Sequence, residues 1–262
     1  MAAIPHKTQR VAAIIPARLA STRLPRKVLR QLAGRPLLAW VVDAARACPQ
    51  LDEIVVATDS DEVAALCAAE GWSFRLTSPD LQSGTDRLHA VAQSLAADIY
   101  VNIQGDEPLL QPAHIAALLL PFQREHVQVS TIKTPCTPEN VNNPNAVKVV
   151  TAADGRALYF SRAAIPFDRD ATGHAGHWKH IGLYAYRRAA LQQFPALPPS
   201  QLEVIERLEQ LRWLENGINI YVEPVETDTI GVDTEADLLI VEQILRTTHT
   251  LGAPSSSQLH RD

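Results

Sequence analysis

Cysteine is scarce in this chain. The three present, Cys48, Cys67 and Cys136, are odd in number, widely spaced and form no CxxC pair. That excludes a disulfide scaffold and a cysteine–histidine zinc module, and it fits thiols kept reduced in a cytosol. Long apolar runs are missing: none approaches the ~20 residues that cross a bilayer. Residues 1–10 are polar and lack the apolar stretch of a signal peptide. A cytoplasmic protein with no membrane partner is expected. An excess of positive charge is absent as well, since 24 Lys and Arg face 29 Asp and Glu for a net charge of −5. General nucleic-acid binding wants a basic face, so no nucleic-acid partner is expected. Neither GxxxxGK[ST] nor GxGxxG occurs, which argues against P-loop kinases and NAD enzymes.

What remains is a chain of 262 residues, 46% hydrophobic and 20% charged. This suits one soluble α/β domain with a real core. Val- and Ile-rich runs at 11–16, 53–58 and 98–103 predict buried strands, and 73–76 reads as a further strand. Helical spacing at 36–48, 63–70, 85–95 and 112–120 separates or follows them. Ser60 offers an N-cap, Asp61 and Glu62 suit the positive helix end, and Gly71 stops the second helix. The alternation implies a doubly wound, mostly parallel sheet.

The second half is less regular. Strands are expected at 127–134, 146–150, 157–160, 180–186 and 219–225, with 157–160 and 180–186 able to pair. A polar loop is expected at 168–178, an amphipathic helix at 200–216, N-capped by Ser200, and a final helix at 235–247. Residues 1–10 read as a flexible N-terminus, 11–247 as a single domain, and 248–262 as a disordered tail. The irregular half reads as a lid or dimer subregion within one fold.

Two segments carry chemistry. The first strand runs into a loop holding Arg18, Arg23, Arg26 and Lys27, four cations in ten residues of an acidic chain. Ligands of doubly wound sheets bind beyond the carboxyl ends of strands. Guanidinium forks and a lysine point charge suit phosphate oxygens, and small residues between them admit backbone amides. Asp106 stands at another such strand end, after Gly105, which permits a tight turn. Asp233 follows the last strand. Magnesium takes one or two carboxylates together with phosphate oxygens and water, so Asp106 and Asp233 are the candidate metal ligands. Glu235 and Asp237 suit the N-terminus of the last helix.

Taken together, these segments resemble a known family. The stretches Ile14-Ile15-Pro16-Ala17-Arg18, Ser21-Thr22-Arg23-Leu24-Pro25, Gln82-Ser83-Gly84-Thr85-Asp86-Arg87 and Gln104-Gly105-Asp106-Glu107-Pro108 are similar to those of the 3-deoxy-manno-octulosonate (Kdo) cytidylyltransferases, or CMP-Kdo synthetases. Asn143-Pro144-Asn145-Ala146-Val147-Lys148, Tyr159-Phe160-Ser161-Arg162, Lys179-His180-Ile181-Gly182, Leu208-Glu209-Gln210 and Gly231-Val232-Asp233-Thr234 continue the likeness, in order, across about residues 11–243.

The resemblance implies a Rossmann-like nucleotidyltransferase fold and transfer of CMP from CTP to Kdo, with Mg²⁺ as cofactor and a homodimer as assembly. It implies that Arg18, Arg23 and Lys27 clamp the triphosphate, with Arg18, Lys27, Asp106 and Asp233 as the catalytic set. It places Ala17, Ser83, Gly84 and Arg87 toward cytidine. Gln104, Arg162, His180, Tyr184, Glu209 and Gln210 would form the Kdo pocket, with Arg162 as counter-ion to the sugar carboxylate. Leu158, Phe160 and Ile165 would contribute apolar surface to the dimer. An acceptor such as 8-amino-Kdo or sialic acid is the nearest alternative. Where the family often has glycine, this chain has Arg26. That position is expected to tolerate a side chain and to add charge near the site.

Overall fold

A computed structural model describes residues 9–21, 23–81, 83–170 and 176–252, the side chains of 248–252 excepted. The run Val11–Pro16 is the central strand β1. Its alternate residues serve two faces, as a pleated strand requires. Ala13 and Ile15 pack into one core cluster, Ala12 and Ile14 into the other. β1 pairs in parallel with β4 (Glu53–Thr58) on one side and β6 (Ile99–Asn102) on the other. β5 (Phe74–Leu76) extends the parallel set beyond β4. A small hairpin, β2 (Gln31–Leu32) and β3 (Arg35–Pro36), precedes α1 (Leu37–Arg46).

Helix α1 buries Leu37, Leu38, Val41, Val42 and Ala45. Helix α2 (Asp61–Ala69) is N-capped by Ser60, whose hydroxyl accepts from the Val63 N–H at 3.4 Å. Helices α3 (Gly84–Ala92) and α4 (Pro112–Leu119) complete the first half.

β7 (Val129–Pro135), the short helix α5 (Pro138–Val141), β8 (Lys148–Thr151), β9 (Ala157–Ser161) and β10 (Trp178–Arg187) follow. Then come α6 (Arg188–Gln193), α7 (Gln201–Glu206), α8 (Gln210–Glu215), β11 (Ile220–Pro224) and α9 (Glu235–Gly252). The main sheet has the order β11-β7-β10-β6-β1-β4-β5, with β8 and β9 attached through β10. It is mixed. The first-half strands are parallel, as their crossover helices require, and so are β7 and β11. β10 runs antiparallel to both β6 and β7.

Four sequence expectations change. The strands at 157–160 and 180–186, able to pair by sequence, do not do so: β9 pairs with β8, which meets β10 at Lys148 opposite Lys179. The helix expected over 200–216 is broken into α7 and α8 at Arg207, whose φ of 54° is left-handed. Phe160 is buried in the second core cluster, so of the apolar residues expected at a dimer face Leu158 is the one fully exposed. The last helix continues to Gly252, past residue 247, and residues 1–8, 171–175 and 253–262 lie outside the described residues. Among the described residues no helix is long and apolar enough to cross a membrane. Cys48 and Cys67 are buried free thiols, and burial pushes both up to about 11.

Candidate active site

The carboxyl ends of β1 and β6 come together at one edge of the sheet. The Ala17 N–H donates to Ala57 O at 2.8 Å, and the Thr58 hydroxyl donates to Ala17 O at 2.7 Å. These bonds pin the start of the cationic loop. The turn after β6 crosses it so closely that a Cβ on Gly105 would stand 2.6 Å from Pro16 O. Only glycine permits that approach without a shift of backbone. The result is a cavity of about 460 Å³ whose lining includes Arg18, Ser21, Arg23, Lys27, Gly84, Gln104, Asp106 and Asp233.

Lys27 organises its floor. Its ammonium donates to Asp106 and, at 2.9 Å, to Asp233 Oδ1. Arg23 donates to the other Asp233 oxygen at 2.9 Å. Burial works against the charge on Lys27, but Asp106 and then Asp233 outweigh it and hold its pKa above the usual lysine value. The two acidic segments are also joined through backbone, because the Val232 N–H donates to Asp106 O at 2.9 Å.

Asp233 is left to face the cavity because its neighbours cap α9. Thr234 Oγ1 accepts from the Asp237 N–H at 3.2 Å, and Asp237 accepts from the Thr234 N–H at 2.8 Å. Among the described residues no group of three or more His, Cys, Asp and Glu converges as a metal cage. Two carboxylates already sharing one cation fit a magnesium ion that draws its remaining ligands from phosphate and water.

Helix α3 meets the cavity through Gly84. Ser83 and Arg87, expected to face the nucleotide, also make structural contacts. Ser83 closes a capping box: its hydroxyl accepts from the Asp86 N–H at 3.0 Å, and its own N–H donates to Asp86 Oδ2 at 3.1 Å. Arg87 is 0% exposed and spends its guanidinium on Asp59, at 2.9 Å, and on Thr77. Burial pulls its pKa down, opposed by Asp59 and assisted by Arg18.

Arg26 adopts φ 59°, ψ 31°, the left-handed conformation that glycine enters freely. The position thus carries a side chain in a conformation that favours glycine. Its guanidinium reaches Glu62 on α2.

Beyond Gln104 lies a buried polar group of residues. Tyr184 on β10 sits directly opposite Asn102 on β6. The Tyr184 hydroxyl and Asn102 Oδ1 are both buried without a hydrogen-bond partner. Such atoms are costly unless something polar meets them. Asn102 was not singled out from sequence, although it stands two residues before Gln104 on the strand that leads into the Asp106 turn.

Glu209, at the start of α8, accepts the hydroxyl of Thr85. Burial raises its pKa, with Thr85 opposing. Gln210 is buried beside it. His180 shares a 2.9 Å hydrogen bond with Thr131 and meets Phe160 edge-on at 5.0 Å. Burial first, and Lys179 second, drive its pKa down to about 3, so it is a neutral ring. Arg162 does not reach the cavity. It donates to Glu206 O at 2.7 Å, Pro144 O at 2.8 Å and Arg207 O at 3.3 Å. Two of these carbonyls lie at the break between α7 and α8, and the third is in the loop before β8.

Comparison with known proteins places the chain in a family. A family model described as cytidylyltransferase matches residues 12–220. A protein of Acidobacterium capsulatum named 3-deoxy-manno-octulosonate cytidylyltransferase is 63% identical over 235 residues, covering 90% of this chain and 96% of that one. A protein of the same name from Koribacter versatilis is 58% identical over 239 residues, covering 91% of each. A solved CMP:2-keto-3-deoxy-manno-octonic acid synthetase complexed with CTP superposes with a TM-score of 0.88 at 39% identity, covering 91% of this chain and 99% of that one. The crystal structure of a 4-diphosphocytidyl-2C-methyl-D-erythritol synthase from Anaerococcus prevotii shares the fold alone, at a TM-score of 0.61 and 12% identity, with 91% and 96% covered. By its sequence across nine-tenths of its length and by its fold, the chain belongs to the 3-deoxy-manno-octulosonate cytidylyltransferase family.

Proposed function

We propose that this chain transfers CMP from CTP to the anomeric hydroxyl of Kdo, releasing pyrophosphate and forming CMP-Kdo for lipopolysaccharide biosynthesis. The observation that carries the reading is the junction of Lys27 with Asp106 and Asp233 on the floor of a cavity flanked by Arg18 and Arg23. Nucleotidyl transfer asks a protein mainly for positioning and charge neutralisation. Arg18, Arg23 and Lys27 take the triphosphate, and the first turn of α3 at Gly84 adds the pull of a helix N-terminus. The backbone of Ala17 borders the nucleoside. Ser83 and Arg87 act indirectly, by holding α3 and the Asp59 loop in place.

Asp106 and Asp233 would hold Mg²⁺, which when bound supplies charge neutralisation at the phosphates and acidifies a hydroxyl near them. On the acceptor side, Gln104, Tyr184, Glu209 and Gln210 offer hydrogen bonds to sugar hydroxyls, and the neutral ring of His180 supports Tyr184, its centroid 5.4 Å away. The sugar hydroxyl attacks the α-phosphorus in line, its bond to phosphorus forms, and pyrophosphate departs.

A homodimer belongs to the proposal. Leu158 is 59% exposed, Val204 60% and Ile205 67%. They lie on β9 and α7, which are tied together where Ser161 and Arg162 bond to Glu206. A second copy would cover them, and the enzyme would work in the cytoplasm on soluble substrates.

The test is pyrophosphate release from CTP and Mg²⁺ with Kdo, 8-amino-Kdo or sialic acid as acceptor. Release with Kdo is expected to exceed that with the others. Release with sialic acid alone, or none with Kdo, overturns the reading.

A further inference from the structure

Thr85 is 2% exposed and opens α3 immediately after Gly84, which lines the cavity. In the first turn of a helix the backbone amides have no intrahelical partner and point toward the ligand side. The Thr85 hydroxyl donates to the carboxylate of Glu209, the residue immediately before α8, 124 positions later in the chain. Nearby stand the unpartnered hydroxyl of Tyr184 and the unpartnered Oδ1 of Asn102, both buried. Thr85 thus follows directly on a cavity-lining glycine and holds with its hydroxyl the carboxylate proposed for the acceptor half.

We infer that Thr85 is a positioning residue that couples the two substrate subsites, fixing one oxygen of Glu209 so that the other meets a sugar hydroxyl. A buried carboxylate rotates about its last bond unless donors hold it; the Thr85 hydroxyl is one such donor, and the Ser83 side chain lies within hydrogen-bonding reach of the same carboxylate. The inference rests on Glu209 contacting the acceptor, as proposed above. Thr85 itself touches neither reacting atom.

Steady-state pyrophosphate release by the full chain tests it, with Thr85→Val, Thr85→Ala, Thr85→Ser, Glu209→Gln and the double variant Thr85→Val/Glu209→Gln. Loss of one hydrogen bond to a buried charged group predicts about a tenfold rise in KM for Kdo in Thr85→Val and Thr85→Ala, with KM for CTP changed less than about twofold. Thr85→Ser, which restores the hydroxyl, is expected to return KM for Kdo to within about twofold of the parent. In the Glu209→Gln background, Thr85→Val should add less than about twofold, as coupled residues do in a double-mutant cycle.

A purely structural threonine would raise both KM values together, without rescue by serine, and would act multiplicatively with Glu209→Gln. Any of these results overturns the coupling, as does an unchanged KM for Kdo in Thr85→Val. Unchanged KM for Kdo in Glu209→Gln overturns the assignment of Glu209 and the inference with it, while the reaction stands. No Kdo-dependent release by the parent chain overturns the function itself, and the inference with it.

Discussion

Lys27 and Asp233, 206 positions apart in the chain, meet at 2.9 Å. The same ammonium holds Asp106. The Lys27 side chain is only 13% exposed, so its charge is screened little and depends on both partners. Replacing Asp106 by Asn keeps the shape and removes the charge. Turnover is expected to fall by more than about a hundredfold, the scale of losing a preorganised electrostatic contact. The far-UV spectrum should be unchanged. A rate near that of the parent would remove Asp106 from the catalytic set.

Arg26 is a second point of test. A non-glycine residue in the left-handed region costs about 1 kcal/mol or more. Its ion pair with Glu62 is exposed on both sides and offsets little of that. Arg26→Gly relieves the strain but loosens the unfolded chain, so stability should change by less than about 1 kcal/mol. Activity should be retained. A drop of more than about tenfold would show that the guanidinium serves the phosphates.

For Arg162 the expected outcome is structural. Arg162→Ala strips donors from three carbonyls, and a loss of about 2 kcal/mol in denaturant unfolding follows from hydrogen bonds to a charged group. KM values for CTP and Kdo should move together. A selective rise for Kdo would restore Arg162 to the sugar carboxylate.

His180 makes stability depend on pH. In the unfolded chain its ring takes a proton below the usual 6.5, whereas the folded protein resists until about 3. Between those values the unfolded state binds more protons, so this contribution is fully present above 6.5 and is lost as pH falls toward 3. In His180→Gln the fall in denaturation midpoint between pH 7 and pH 4.5 should be shallower than in the parent. An identical slope would mean that His180 titrates normally.

The parts of the site that a reader could find in the sequence are the local ones. The cations of residues 18–27 and the Asp106 turn are contiguous, and each follows directly from a buried strand, so position alone marks the ligand edge. Capping chemistry is equally local: Ser60 and Ser200 hold their helices as their spacing suggests. What escaped depends on distant partners. The burial of Arg87 is set by Asp59, 28 residues earlier. The direction of β10 follows from its insertion between β6 and β7, which no periodicity encodes. The break at Arg207 lacks the glycine that commonly marks a left-handed residue. The contacts of Arg162 with the carbonyls at that break, 44 and 45 residues on, are equally beyond local pattern.

The bond from Val232 to the carbonyl of Asp106 has a temporal consequence. The acidic pair is closed by main chain that leaves the ribosome only after most of the sheet has been made. A nascent chain that stops before β11 would hold the basic loop and one carboxylate but could not complete the pair. During synthesis, therefore, the two acidic segments can be joined only after residues 232 and 233 have emerged.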